Sequence, residues 1–198
     1  TGKGGKGISS DGDLTISGGV VKIITTGSTY TYSSSLDAKA KGIKSDANIY
    51  IKGGAITIKT ATDGAEGIES EYNMTISGGE IAISAYDDAI NVSTNGYTLT
   101  IAGGKIYAYS SNNDGLDSNG YIKITGGIVI GDGSTSPEEG FDVGVRSRAL
   151  AHLLFVADDA PARASFERFE QFGGEGGGAF GEEREAVFKP QSGHLPMP

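Results

Sequence analysis

The sequence predicts an all-β protein, a parallel β-helix with three short strands and about 25 residues in each coil, followed by an irregular C-terminal segment. Three observations carry this. Paired glycines begin at Gly18, Gly53, Gly78, Gly103 and Gly126, so that successive steps are 35, 25, 25 and 23 residues. A small residue followed by an apolar one keeps the same beat, at Gly7-Ile8, Gly42-Ile43, Gly67-Ile68, Ala89-Ile90, Gly115-Leu116 and Gly140-Phe141. Between the markers, apolar and polar residues alternate at period two, the strand period, and no helical stretch intervenes.

Each unit begins with a strand at its opening apolar residue. A second follows at Leu14-x-Ile16, Ile49-x-Ile51, Met74-x-Ile76, Leu99-x-Ile101 and Ile122-x-Ile124, ending in the glycine pair. Beyond the pair stands a third, at Val21-x-Ile23, Ile56-x-Ile58, Ile81-x-Ile83, Ile106-x-Ala108 and Val129-x-Gly131. Coils pairing at about 4.8 Å would stack these residues into apolar interior ladders. Parallel crossovers favour a right-handed winding. Ser10, Ser45, Ser70, Val92 and Ser118 should form an inward row whose hydroxyls bond each other or the backbone. The glycine pairs fit a corner that needs positive φ or close backbone approach. The first step is longer because an insertion within Thr26 to Lys41 bulges out of the first unit.

Composition divides the chain. All nine Tyr lie between Tyr30 and Tyr121, all seven Phe lie at or beyond Phe141, and no Arg precedes Arg146. Residues 1–142 therefore read as coils and 143–198 as a distinct C-terminal segment, with an apolar stretch from Ala149 to Ala157 suited to capping and a disordered tail. The net charge of −9, from 25 acids and 16 bases, argues against nucleic acid and anionic membranes as partners and for cations. With no cysteine there is no disulfide frame and no thiolate metal site, and no apolar run reaches the roughly 20 residues of a membrane-spanning helix.

The chemistry lies in two outward rows beside the opening glycine. One place before it stand Lys6, Lys41, Glu66, Asp88, Asp114 and Glu139; two places after it stand Ser9, Lys44, Glu69, Asn91, Asp117 and Asp142. Lys41 should neighbour Glu66, and Lys44 should neighbour Glu69, which marks a change from basic to acidic coils. Beyond that step, carboxylates stack on carboxylates at about 4.8 Å, which is destabilising unless something neutralises them. A Ca2+ ion, bound through oxygens at about 2.4 Å, fits between two such rungs. Asp63, Asp87 and Asn113 offer further oxygens. The competing reading is a solvated acidic edge.

Tyrosines approach this edge. Tyr86 precedes Asp87-Asp88, Tyr109 precedes the stretch ending at Asp114, and Tyr30 and Tyr32 lie in the insertion. Aromatic rings beside carboxylates and cations suit a hydroxylated sugar chain, and with Lys41 and Lys44 they complete the expected polysaccharide-binding edge.

The runs Lys-Gly-Ile-Lys-Ser-Asp, Ile-Tyr-Ile-Lys-Gly-Gly, Asp-Gly-Ala-Glu-Gly-Ile-Glu-Ser, Asp-Asp-Ala-Ile-Asn and Asn-Asp-Gly-Leu-Asp-Ser-Asn-Gly resemble the extracellular carbohydrate-binding β-helix family of clostridial and related bacteria. The resemblance covers roughly residues 1–142. It implies a pectate-lyase-like fold, a secreted or cell-surface location, and non-catalytic binding of cellulose or acidic pectin. It also implies calcium at Glu66, Glu69, Asp88, Asn91, Asp114, Asp117 and Asp142. Two other classes compete. A pectate-lyase-like enzyme would need a Lys or Arg base for the C5 proton, yet the coils contain no Arg and Lys41 and Lys44 are expected to be ion-paired. A structural subunit would stack end to end with its own copies into filaments, because an open β-helix end presents unpaired backbone.

Overall fold

The computed structural model describes residues 2–135, 137–144 and 154–156. Three parallel sheets run along the molecule, built by stacking corresponding strands of successive coils. The first contains Ile8–Ser10, Ile43–Ser45, Ile68–Ser70, Ile90–Val92, Leu116–Ser118 and Phe141–Val143, which number the coils from one to six. The second contains Leu14–Ile16, Ile49–Ile51, Met74–Ile76, Thr98–Ile101 and Tyr121–Ile124. The third runs from Val20–Thr25 through Ala55–Thr60, Glu80–Ala85 and Lys105–Ser110 to Ile128–Asp132, and ends on Leu154–Val156. Among the described residues there is no helix, so the chain is an all-β solenoid of the expected kind.

Register follows the repeat. Ile8 pairs with Ile43, Ile43 with Ile68, Ile68 with Ile90, Ile90 with Leu116 and Leu116 with Phe141. Period-two alternation sends one set of side chains inward from all three sheets. Ile43, Ile49, Ile58, Ile68, Met74 and Ile81 are therefore sealed from water. Each buried aliphatic side chain of this size contributes roughly 1.5–3 kcal/mol to the driving force for collapse. The strand apart in sequence, Leu154–Val156, lies within the apolar stretch that sequence marked for capping and pairs with Val129 to Gly131.

The inward serines bond backbone, not one another. Ser45 Oγ donates to the Gly12 carbonyl at 2.8 Å, and Ser70 Oγ donates to that of Tyr72 at 2.8 Å. The corners show why paired glycine recurs. Gly79 has a φ of 106°, and a Cβ there would lie 3.0 Å from the Gly54 carbonyl of the coil before. The insertion leaves the first coil as an antiparallel hairpin, Tyr30–Ser33 with Leu36–Ala38. The tail reading for the C-terminal segment falls on Pro190 to Pro198, which lie outside the described residues.

Candidate functional site

The outward rows lie in the predicted register. Ser9 pairs with Lys44, Lys44 with Glu69, Glu69 with Asn91, Asn91 with Asp117 and Asp117 with Asp142. The neighbouring row is tied by backbone bonds. Gly42 N–H donates to Glu66 C=O at 3.0 Å, Gly67 N–H to Asp88 C=O at 2.9 Å and Ala89 N–H to Asp114 C=O at 3.0 Å. Because each bond fixes one coil on the next, side chains of like sign are held one rung apart.

The change of sign is a compact ion-pair network. Lys41 Nζ donates to Glu66 Oε1 at 3.0 Å and also to Glu69. Lys44 lies 3.7 Å from Glu69 Oε1, but its shorter contacts are with Glu71 at 2.9 Å and Asp46 at 3.1 Å. The register thus brings Lys44 to Glu69 as expected, while the corner residues hold its ammonium more closely. Burial disfavours the charge on Glu66 more than Lys41 restores it, and the carboxyl is pushed up to about 7.

Beyond this network, no cation reaches the row among the described residues. Asp88 Oδ1 accepts from Asp114 N–H at 3.1 Å, and Asp88 Oδ2 accepts from Asn91 Nδ2 at 2.9 Å. Asp114 Oδ1 in turn accepts from Glu139 N–H at 2.5 Å. Side chain to next-coil backbone is therefore a repeated device in this row. Asp88, Asn91 and Asp114 are buried, and Asn91 Oδ1 has no hydrogen-bond partner. Burial raises the Asp88 carboxyl to about 8, aided by Asp87, Asp117 and Asp114, and raises Asp117 to about 7, aided by Asp142 and Asp114. Asp114 rises to about 6 from the same causes, burial first and then Asp142, Glu138 and Glu139.

The donor set of the fourth to sixth coils suits a hard cation: oxygen only, crowded with negative charge, with one orphaned buried amide oxygen. Among the described residues, however, no three carboxylates or imidazoles converge as a ready-made metal cage. Any ion would draw the stacked side chains together. The remaining predicted ligands divide. Asp87 accepts from Asn113 Nδ2 at 2.7 Å beside the row, whereas Asp63 is exposed on a turn and lies 3.6 Å from Lys39. Glu66 and Glu69 are paired with Lys41, although burial still pushes Glu66 up to about 7 and its Oε2 has no hydrogen-bond partner.

The predicted tyrosines do not form one cluster. Tyr30 and Tyr32 make an edge-to-face pair at 4.6 Å on the exposed hairpin. Tyr109 stands on the outward face of the third sheet between Ser84 and Asp132, and Tyr86 follows the end of the strand Glu80–Ala85, its N–H bonded to Thr60 Oγ1 at 3.0 Å.

Three features escaped the sequence reading. Asn48 and Asn73 form an amide ladder: Asn73 N–H donates to Asn48 Oδ1 at 3.1 Å, and Thr98 N–H donates to Asn73 Oδ1 at 3.0 Å. The signal was present, since Asp13, Asn48 and Asn73 each immediately precede a second-sheet strand. Asp132 is buried, with the Tyr107 hydroxyl 3.5 Å from its Oδ2. Tyr72 and Tyr97 stack with ring centroids 4.7 Å apart.

Fold and edge together define a β-solenoid with an outward acidic ladder. Residues 2–89 match the model of a family described as carbohydrate-binding domain-containing protein, a match that runs from the first coil through the changeover and ends just after Asp88. No curated protein and no solved structure matches the chain. The solenoid and the family match agree on a carbohydrate-binding β-helix as the class that the chain resembles, and they suggest polysaccharide as its partner.

Proposed function

We propose that the chain is a non-catalytic module, secreted or displayed at the cell surface, that holds plant cell-wall polysaccharide with the help of calcium along its acidic edge. The observation that carries this reading is the run Asp88, Asn91, Asp114, Asp117 and Asp142, stacked in register and without a lysine, next to an otherwise similar run paired with lysine. Lysine offsets part of the electrostatic cost in the early coils, and among the described residues no lysine does so in the later ones. Calcium would supply the missing charge there. Asp88, Asn91, Asp114, Asp117 and Asp142 would hold it, and an acidic chain of the pectin type could share it through its own carboxylates. Cellulose is the neutral alternative. Catalysis is disfavoured because Lys41 and Lys44, the lysines nearest the acidic row among the described residues, are held in ion pairs.

A calcium titration followed by thermal melting tests this, repeated with Asp88→Ala and Asp114→Ala and with polygalacturonate present or absent. Calcium-dependent stabilisation and polymer retention, lost in both variants and without new unsaturated chain ends, is the expected result. New unsaturated ends would make the protein a lyase. No response to calcium would leave a buried ladder held by its backbone hydrogen bonds and by protonation, with no metal role.

A further inference from the structure

The corner that leads into the second sheet carries an aromatic pair apart from the aspartate row, in which Tyr97 packs partly against the core and Tyr72 is exposed. Met74 pairs with Leu99, so Tyr72 and Tyr97, each two residues earlier, occupy the same row on consecutive coils. Their rings stack at 4.7 Å with planes 28° apart, about the spacing of the coils themselves. The row continues with Ala47 on one side and Gly120 on the other, set by the Tyr72 N–H bond to Ala47 and the Tyr121 N–H bond to Tyr97. No bulky side chain of this row therefore covers either end of the pair.

The adjoining outward rows complete the surface. Tyr50 pairs with Thr75, Thr75 with Thr100, and Thr98 with Tyr121. Tyr50 and Tyr121 thus stand three coils apart, roughly 14 Å at the coil spacing, on either side of an uncharged strip of Asn73, Thr75, Thr98 and Thr100. In these rows the charges stand only at the outermost coils, Asp13 at one end and Lys123 at the other, and they are opposite in sign. Tyr72 and Tyr121 are each about two-fifths exposed, 40% and 41%.

We propose that this strip is a second glycan-binding face that takes a neutral polysaccharide chain without calcium. Tyrosine offers rigid, amphipathic contact area at low entropic cost, and threonine and asparagine offer adaptable hydrogen bonds to hydroxyls. An acidic chain has no complementary row of cations here, whereas a neutral one meets hydroxyl and amide groups throughout the central coils. The proposal rests on the carbohydrate-binding reading, but it locates the neutral ligand away from the carboxylate ladder.

Calorimetry on the full chain with cellohexaose and with polygalacturonate, each in chelator and in calcium, tests it. Cellohexaose should bind in chelator, lose about tenfold or more in affinity in the Tyr72→Ala/Tyr97→Ala variant, and be unaffected by Asp88→Asn/Asp117→Asn. The Tyr72→Phe/Tyr97→Phe variant, which keeps the rings, should retain most of the affinity. Tyr72→Ala alone, at the exposed ring, should still weaken cellohexaose while melting as the parent does, which separates lost contact from a folding defect at the core-packed Tyr97. Absent cellohexaose binding, or binding indifferent to the tyrosines, would overturn the proposal. So would polygalacturonate being the polymer that the tyrosine variant loses in chelator. If polygalacturonate still binds in calcium through the aspartates, only this face fails; if neither polymer binds under any condition, the carbohydrate reading fails with it.

Discussion

Lys41 and Glu66 sit one coil apart with 3.0 Å between Nζ and Oε1, and at this contact the outward edge of the solenoid changes sign. On one side lie Lys6 and Lys41, on the other Asp88, Asp114 and Glu139, all at the same place in the repeat. Burial lowers the preference of Lys41 for its charged form, but Glu66 and Glu69 more than offset it and hold the ammonium above its ordinary value.

Removing that lysine should expose the electrostatic debt of the early coils. Lys41→Met leaves Glu66 buried without its cation and Glu69 with only Lys44 at 3.7 Å, and should destabilise the fold by roughly 3 kcal/mol. Adding Glu66→Gln and Glu69→Gln should recover much of the loss. Urea denaturation of the single and triple variants measures both.

Stability should fall as pH rises when divalent cations are chelated. Asp88, Asp117 and Asp114 ionise in the folded state near pH 8, 7 and 6, against an ordinary aspartate value of 3.8. Between pH 4 and 8 the folded chain therefore holds more protons than the unfolded one, and the stabilisation present at acid pH is lost as these groups ionise. The melting temperature in chelator should drop by about 5 °C or more across that window, and saturating calcium should flatten the slope. A melting temperature that rises over the same range in chelator would contradict the buried acidic ladder.

Asp117→Asn should have opposite effects in the two conditions. It removes repulsion toward Asp142 and Asp114, so the variant should melt higher than the parent in chelator, by a few degrees on the scale of about 1 kcal/mol. In calcium the order should reverse, because the parent gains an ion ligand that the variant lacks. Paired melting curves give the answer directly.

Gly79→Ala tests the corners. A side chain there must adopt a φ of 106° and meet the Gly54 carbonyl, so the substitution should cost about 1–3 kcal/mol. Gly12→Ala, at a position with open space around it, should cost much less, and chemical denaturation compares the two.

Repeat proteins declare their register in sequence when markers recur at fixed distance, and here the opening residues Ile43 and Ile68 and the paired glycines at Gly53 and Gly78 do so together. That is why the stack of Lys44 on Glu69 and of Asp117 on Asp142 could be written down from spacing alone. The tyrosine pair could not. Counted forward from the opening glycine, Tyr72 stands five places after Gly67 whereas Tyr97 stands eight after Ala89, because the corner of the fourth coil is longer. Only counting back from the paired residues Met74 and Leu99 puts them in one row. The preference of Lys44 for Glu71 and Asp46 was hidden for a different reason, since these acids stand in register just past the strand rows and only the reach of the lysine side chain brings them to it.

The sequence by itself determined the solenoid, its strand rows and the coil at which charge changes sign, because period-two alternation and a fixed repeat leave one register that buries every isoleucine row. Tertiary structure decided what each polar group does within that register. It gave Lys41 two carboxylates, left Asn91 Oδ1 unpartnered among aspartates, joined Asn48 to Asn73 and stacked Tyr72 on Tyr97. Those outcomes depend on corner lengths, side-chain reach and burial, which a repeat constrains only once its coils are laid on one another.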